Sequence, residues 1–131
     1  MKRVLLVALV LMILLSGMIA VADDTTYTNY LLSGGSSGKK NTSHVKKTVT
    51  GSAENTVTYL SRTLSENDPV ITKVRRSSDG QPVTSAKEVT ALGVYYMGYG
   101  SSYGQTGKKY YMKMQNTTGS PDVTISGTFK P

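Results

Sequence analysis

The chain has 131 residues, 15 Lys plus Arg against 8 Asp plus Glu, one His, nine Tyr, and neither Cys nor Trp. Without Cys there is no disulfide framework, no thiol nucleophile and no lipid-attachment cysteine, and a single imidazole leaves metal and general-base chemistry short of ligands. A length near 130 favours one domain.

The first 22 residues have the form of a cleavable export signal. Lys2 and Arg3 make a positive start, residues 4–15 are uninterruptedly apolar, and Ala20-Val21-Ala22 is a small-x-small cleavage site before Asp23. Ser16 and Gly17 break the apolar run short of the roughly 20 residues that span a bilayer. The expectation is a secreted, extracellular protein with no stable membrane insertion after cleavage. Removing Lys2 and Arg3 leaves 13 basic against 8 acidic residues. The basic pairs Lys39-Lys40, Lys46-Lys47, Arg75-Arg76 and Lys108-Lys109 are scattered along the chain. They favour solubility and general attraction to acidic wall polymers or anionic headgroups, with no specific nucleic-acid partner.

Residues 23–44 read as a flexible Gly/Ser-rich arm around Ser33-Gly34-Gly35-Ser36-Ser37-Gly38, whose composition offers little to bury. Tyr27, Tyr30, Leu31 and Leu32 could instead dock as a first edge strand, which would start the domain near Thr26 and not near His44. From residue 45 to 131 a β-domain is expected, because apolar residues recur at period two and never near 3.6. Residues 45–50 and 56–60 suggest a hairpin with Val45, Val49, Val57 and Tyr59 inward. In residues 69–76, Val70, Thr72 and Val74 alternate with Ile71, Lys73 and Arg75. Asp79-Gly80 marks a turn, and Pro82 confines the following partner to an edge or a strand start. Residues 87–99, apolar on both faces around Leu92, Val94, Tyr95, Tyr96 and Met97, are the expected centre of a sheet. Tyr110, Met112 and Met114 alternate with Lys109, Tyr111, Lys113 and Gln115. The closing strand puts Val123, Ile125, Gly127 and Phe129 on one face, and the turn chemistry of residues 116–121 predicts a hairpin between these last two strands. The fold class is thus all-β, a small antiparallel β-sandwich or open barrel of six to eight short strands.

Chemistry-bearing residues are few. His44 has no Cys or acidic cluster near it in sequence and reads as a surface histidine. No Gly-x-Ser-x-Gly elbow frames a serine, and Asp23-Asp24 lacks the alternating pattern of a calcium loop. No catalytic residue, metal or cofactor is expected, and the protein reads as a non-enzyme. The distinctive feature is a Tyr/Gly/Lys segment holding six of the nine tyrosines between Tyr95 and Tyr111. Tyr offers a flat apolar face with a polar tip, glycine allows close approach and lysine attracts anions. The candidate binding residues are Tyr95, Tyr99, Tyr103, Lys108, Lys109 and Tyr111, with Tyr99 and Tyr103 the most exposed because glycines flank them; the competing reading is that half of these tyrosines fill a core without Trp and with a single Phe, the glycines making a hairpin loop.

The export signal over residues 1–22, the strand over residues 110–116 and the ending Val123-Thr124-Ile125-Ser126-Gly127-Thr128-Phe129-Lys130-Pro131 together resemble the small secreted β-rich proteins of Gram-positive bacteria. The resemblance implies an extracellular β-fold and carries no catalytic residues. The function expected is a secreted non-enzymatic binding or interaction module. It would act at the bacterial cell envelope, on an envelope polymer or protein partner, through the Tyr/Gly/Lys loop. Two alternatives are a bacteriocin-like antagonist and a fibre or matrix subunit, in which residues 27–32 self-associate with a neighbour's open edge.

Overall fold

The computed structural model describes residues 23–35 and 38–131. The expected export signal lies outside them. Among the described residues there is no helix, and nine strands follow one another as β1 (Thr25–Leu32), β2 (Lys39–Asn41), β3 (Val45–Lys46), β4 (Ala53–Leu60), β5 (Val70–Arg76), β6 (Lys87–Val89), β7 (Gly93–Met97), β8 (Lys109–Asn116) and β9 (Val123–Lys130). Sheet A has the order β1-β9-β4-β7, and sheet B the order β2-β8-β5-β6 with β3 also on β8. All pairings are antiparallel. The strands form two separate sheets and neither closes on itself, so of the two expected forms the sandwich is the one present.

Period-two alternation decides what fills the space between the sheets. Val123, Ile125 and Phe129 of β9, Tyr110, Met112 and Met114 of β8, and Val70, Thr72 and Val74 of β5 are all buried, as their alternation predicted. Burying each of the larger apolar side chains is worth about 1.5–3 kcal/mol, which binds the two inner faces together. The Asp79-Gly80 turn is also present: Gly80 adopts φ 68°, the Arg76 N–H bonds the Gln81 carbonyl at 2.9 Å, and Pro82 meets Arg75 in an isolated bridge.

Four expectations change. Residues 25–32 are not part of a flexible arm: they follow the alternative reading and dock as an edge strand, β1, paired along β9 with Tyr27 and Leu32 buried. Residues 45–50 and 56–60 do not make a hairpin, because β3 lies in sheet B and β4 in sheet A. Val49 falls in the connection between them and is exposed, and Tyr59 is turned outward by a register shift between Val57 and Tyr59. The last two long strands are not a hairpin either: residues 117–122 carry the chain from sheet B to sheet A. Asn116, buried, fixes that passage by donating from Nδ2 to the carbonyls of Leu32 (3.1 Å) and Pro121 (2.8 Å). Finally, the segment expected at the centre of a sheet becomes two edges, β6 in sheet B and β7 in sheet A.

Sheet A is organised around Gly127 on β9. The Tyr27 ring lies over it, and the Tyr27 hydroxyl donates to Asn55 Oδ1 on the far neighbour β4 at 2.6 Å. A Cβ on Gly127 would run into the Thr56 carbonyl oxygen and stand 2.5 Å from the Tyr27 hydroxyl. Gly127→Ala is expected to cost about 2–3 kcal/mol through overpacking, read as a lowered urea midpoint with the slope unchanged.

Candidate functional site

The six candidate binding residues separate into three groups. Tyr95 belongs to β7, where its half-buried ring packs on the core and its hydroxyl receives the N–H groups of Thr90 and Ala91 and donates to the Ala91 carbonyl at 2.8 Å. It fastens the β6–β7 turn. Tyr99, expected to be exposed, is half-buried: its ring lies 5.3 Å from that of buried Tyr110, and the Lys47 ammonium sits 4.7 Å above it. Gly104, at φ 77°, passes directly against the Tyr99 ring.

Lys47 is itself buried, donating from Nζ to the Gly51 carbonyl at 3.0 Å. Loss of hydration, then the nearby Lys130, holds its amine below the usual lysine value. Burial, with a smaller contribution from Tyr110, pushes the Tyr99 hydroxyl well above the usual tyrosine value of 10.0, and that hydroxyl has no hydrogen-bond partner.

Tyr103 and Lys108 form the second group. With Arg76, Ser78 and Gln105 they line a cleft of about 150 Å³ at the end of sheet B. Tyr103 is exposed, and the Arg76 guanidinium lies 5.4 Å from its ring centre. Arg76 is already paired with Asp79, at 2.5 Å, which offsets its charge. Lys109 and Tyr111 form the third group, on the outer face of β8.

That outer face is where the structure gathers what the sequence scattered. Residues opposite the outward positions of β8 are read from the register. Lys113 faces Lys73 on β5 and Asn41 on β2, Lys109 faces Lys46 on β3, and Tyr111 faces Arg75 on β5. Lys39 stands opposite Gln115, one outward position beyond Lys113. His44, exposed as expected, stacks on Tyr111 with ring centres 4.6 Å apart and planes 17° apart, a contact not visible in the sequence. Lys39, Lys46, Lys73, Arg75, Lys109 and Lys113 thus share one face around a flat aromatic pair. Glu88 is the one carboxylate on the strands of sheet B. Neither ion pair found among the described residues, Arg62–Asp68 and Arg76–Asp79, touches any of these six cations.

Electrostatics bears the crowding out. Partial desolvation, then the charges of Arg75 and Lys39, holds the Lys113 amine below the usual lysine value. Arg75 donates from Nη1 to the Gly80 carbonyl at 2.7 Å, while its Nε is buried without a partner. Such a face can receive anionic groups through hydrogen bonds and charge, and can stack a planar or ring-shaped unit on Tyr111 and His44. Among the described residues no three His, Asp or Glu side chains converge to hold a metal. No protein-family model matches the chain, and no curated protein or solved structure matches it.

The division of the tyrosines is measurable. Tyr99→Ala is expected to cost about 2–3 kcal/mol, and Tyr103→Ala less than about 1 kcal/mol, in urea unfolding at neutral pH. Tyr99→Phe, which removes a hydroxyl without a partner, is expected to be neutral or slightly stabilising.

The same groups set the alkaline limit. Tyr27, also pushed up by burial, and Tyr99 keep their protons in the folded state at pH values where the unfolded chain releases them near 10. Their contribution is therefore complete below about pH 10 and is lost as pH rises further, while Lys47 and Lys113 act in the opposite sense. Urea midpoints measured from pH 9 to 11 are expected to fall, and to fall less in Tyr99→Phe.

Proposed function

We propose that the protein is a secreted, non-enzymatic binding module that holds an anionic linear polymer of the bacterial cell envelope against the outer face of sheet B. The observation that carries this reading is a pair of like-charge cross-strand contacts, Lys73 opposite Lys113 and Lys46 opposite Lys109, without a carboxylate partner among the described residues. Like charges directly opposite each other weaken a sheet, so their presence twice on one face costs stability that a bound anion recovers.

The geometry suits a repeating ligand. Along β8 the outward rungs Lys109 with Lys46, Tyr111 with Arg75 and Lys113 with Lys73 follow one another at about 7 Å, two residues of strand rise, and each rung carries a cation. Charges along an extended phosphodiester chain are spaced comparably. Tyr111 with His44 would meet the sugar or polyol units between them, and Tyr103 and Lys108 extend the track around the end of the sheet. This reading keeps the binding-module expectation while moving its centre from the tyrosine loop to the sheet face. Lys109 and Tyr111 are retained there, and Tyr95 and Tyr99 are left to structural roles.

Titration with poly(glycerol phosphate), beside a neutral glucan, tests the reading. Affinity for the polyphosphate is expected to fall steeply with salt, and Lys73→Ala and Lys113→Ala are each expected to lower the slope of log K against log salt by about one. Lys130→Ala, on sheet A, should leave the slope as it is. Equal binding to the glucan, or slopes unchanged in the two face variants, would overturn the reading.

A further inference from the structure

The sandwich has four lateral edges, and three of them are guarded. The β2/β3 edge is made of two short strands carrying Lys39, Lys40 and Lys46, and β6 is three residues long with Lys87 and Glu88. At the far side of sheet A, β1 is broken by a register shift between Tyr27 and Tyr30, where Asn29 takes a left-handed φ of 53°. Short length, charge and bulges are the devices by which sheets discourage pairing with other chains.

The fourth edge, β7, has none of them. Gly93–Met97 contains no charge and no proline, and its register with β4 runs unshifted from Ala53 opposite Met97 to Val57 opposite Gly93. Among the described residues no strand pairs with its other side. Its outward side chains are bare: Tyr96 is 63% and Val94 48% exposed, with Leu92 at 60% just ahead and Tyr59 at 48% on the adjoining β4.

We propose that β7 pairs antiparallel with the β7 of a second copy, about a twofold axis through Tyr95, joining two four-stranded sheets into one of eight. The partner is a second copy because the strand is self-complementary in this register. Val94 of each copy falls opposite Tyr96 of the other, and two aromatic–β-branched cross-strand pairs form at once. Charge points the same way. In a chain of net charge +7, copies repel wherever lysines meet, and β7 is the unbulged edge free of charge. The area sets the strength: one five-residue strand and its flanking side chains fall short of the roughly 800 Å² per partner of a standard interface. The dimer is therefore weak and concentration-dependent.

An axis perpendicular to the joined sheet leaves both basic faces on the same side of the dimer. If the polyanion reading above holds, one polymer strand or surface would then engage two sites together, and avidity would follow without any new contact.

Sedimentation velocity over a wide concentration range tests the pairing without any polymer present, so it succeeds or fails independently of the polyanion reading. The protein is expected to shift from monomer to dimer with concentration. Val94→Lys is expected to stay monomeric with an unchanged urea midpoint, and Leu31→Lys on β1 to dimerise like the parent. Register is read by oxidation, because the chain has no cysteine of its own. A mixture of Val94→Cys and Tyr96→Cys copies should cross-link, whereas each alone should not, since like positions lie diagonally, about 8 Å apart, beyond disulfide reach. A parent that stays monomeric up to millimolar concentration, a Val94→Lys variant that dimerises, or cross-linking in either single variant would overturn the proposal.

Discussion

Tyr27 crosses Gly127 to reach Asn55, and the inner face of sheet A is arranged to permit it. The ring comes from the edge strand, passes over the central strand where no side chain stands, and ends in a buried hydrogen bond to the strand beyond. Both neighbours of β9 shift register beside this point, β1 between Tyr27 and Tyr30 and β4 between Val57 and Tyr59. Each shift adds one residue and reverses the side-chain phase. That is why Tyr27 is followed inward by Tyr30 and Leu32, and Val57 by Leu60, when strict alternation would have turned those later residues to solvent. The Asn29 N–H, donating to Ser126 Oγ at 2.8 Å, fastens the first of these shifts to the same stretch of β9.

Individual strands were legible because period-two alternation is a local signal. Val70, Thr72 and Val74 in β5, Met112 and Met114 in β8, and Val123, Ile125 and Phe129 in β9 announce their buried face without reference to any partner. Which strands meet was not legible, because the chain changes sheet at almost every step. Only β5 and β6 pair as sequence neighbours, so hairpin reasoning from turn residues fails at residues 47–52 and 117–122, where Gly51 and Gly119 turn the chain toward the opposite sheet instead. The site was hidden for the same reason. Lys73 and Arg75 were correctly on the outer phase of one strand and Lys109, Tyr111 and Lys113 on that of another, but nothing local says that these strands are adjacent. Of the two readings of the tyrosine cluster, binding surface or core filler, Tyr95 and Tyr99 follow the second, packed against a core without Trp and with a single Phe.

The two outer faces differ in character. Sheet B concentrates cations around a stacked Tyr–His pair. The outer face of sheet A carries Thr56, Thr124, Ser126 and Thr128, with an apolar margin along β7. A sandwich is thin, with sheets about 10 Å apart, yet that suffices to keep the margin clear of most of the charge on the other side. Attraction for an anion and association through an apolar edge can therefore coexist in a small domain without competing for the same residues.

The position of β9 bears on when the fold can form. It is the last of the nine described strands and an interior strand of sheet A, flanked by β1 and by β4. Until residues 123–130 have emerged, β1 has no neighbour to pair with, and the Tyr27 ring has no surface to lie on. The earlier strands of sheet A can then offer only the β4–β7 pair, which is too little to cover the inner face of sheet B. Long-range pairing of this kind delays folding. A chain whose sheet A waits on residues 123–130 leaves the inner face of sheet B bare to water until they take their place between β1 and β4.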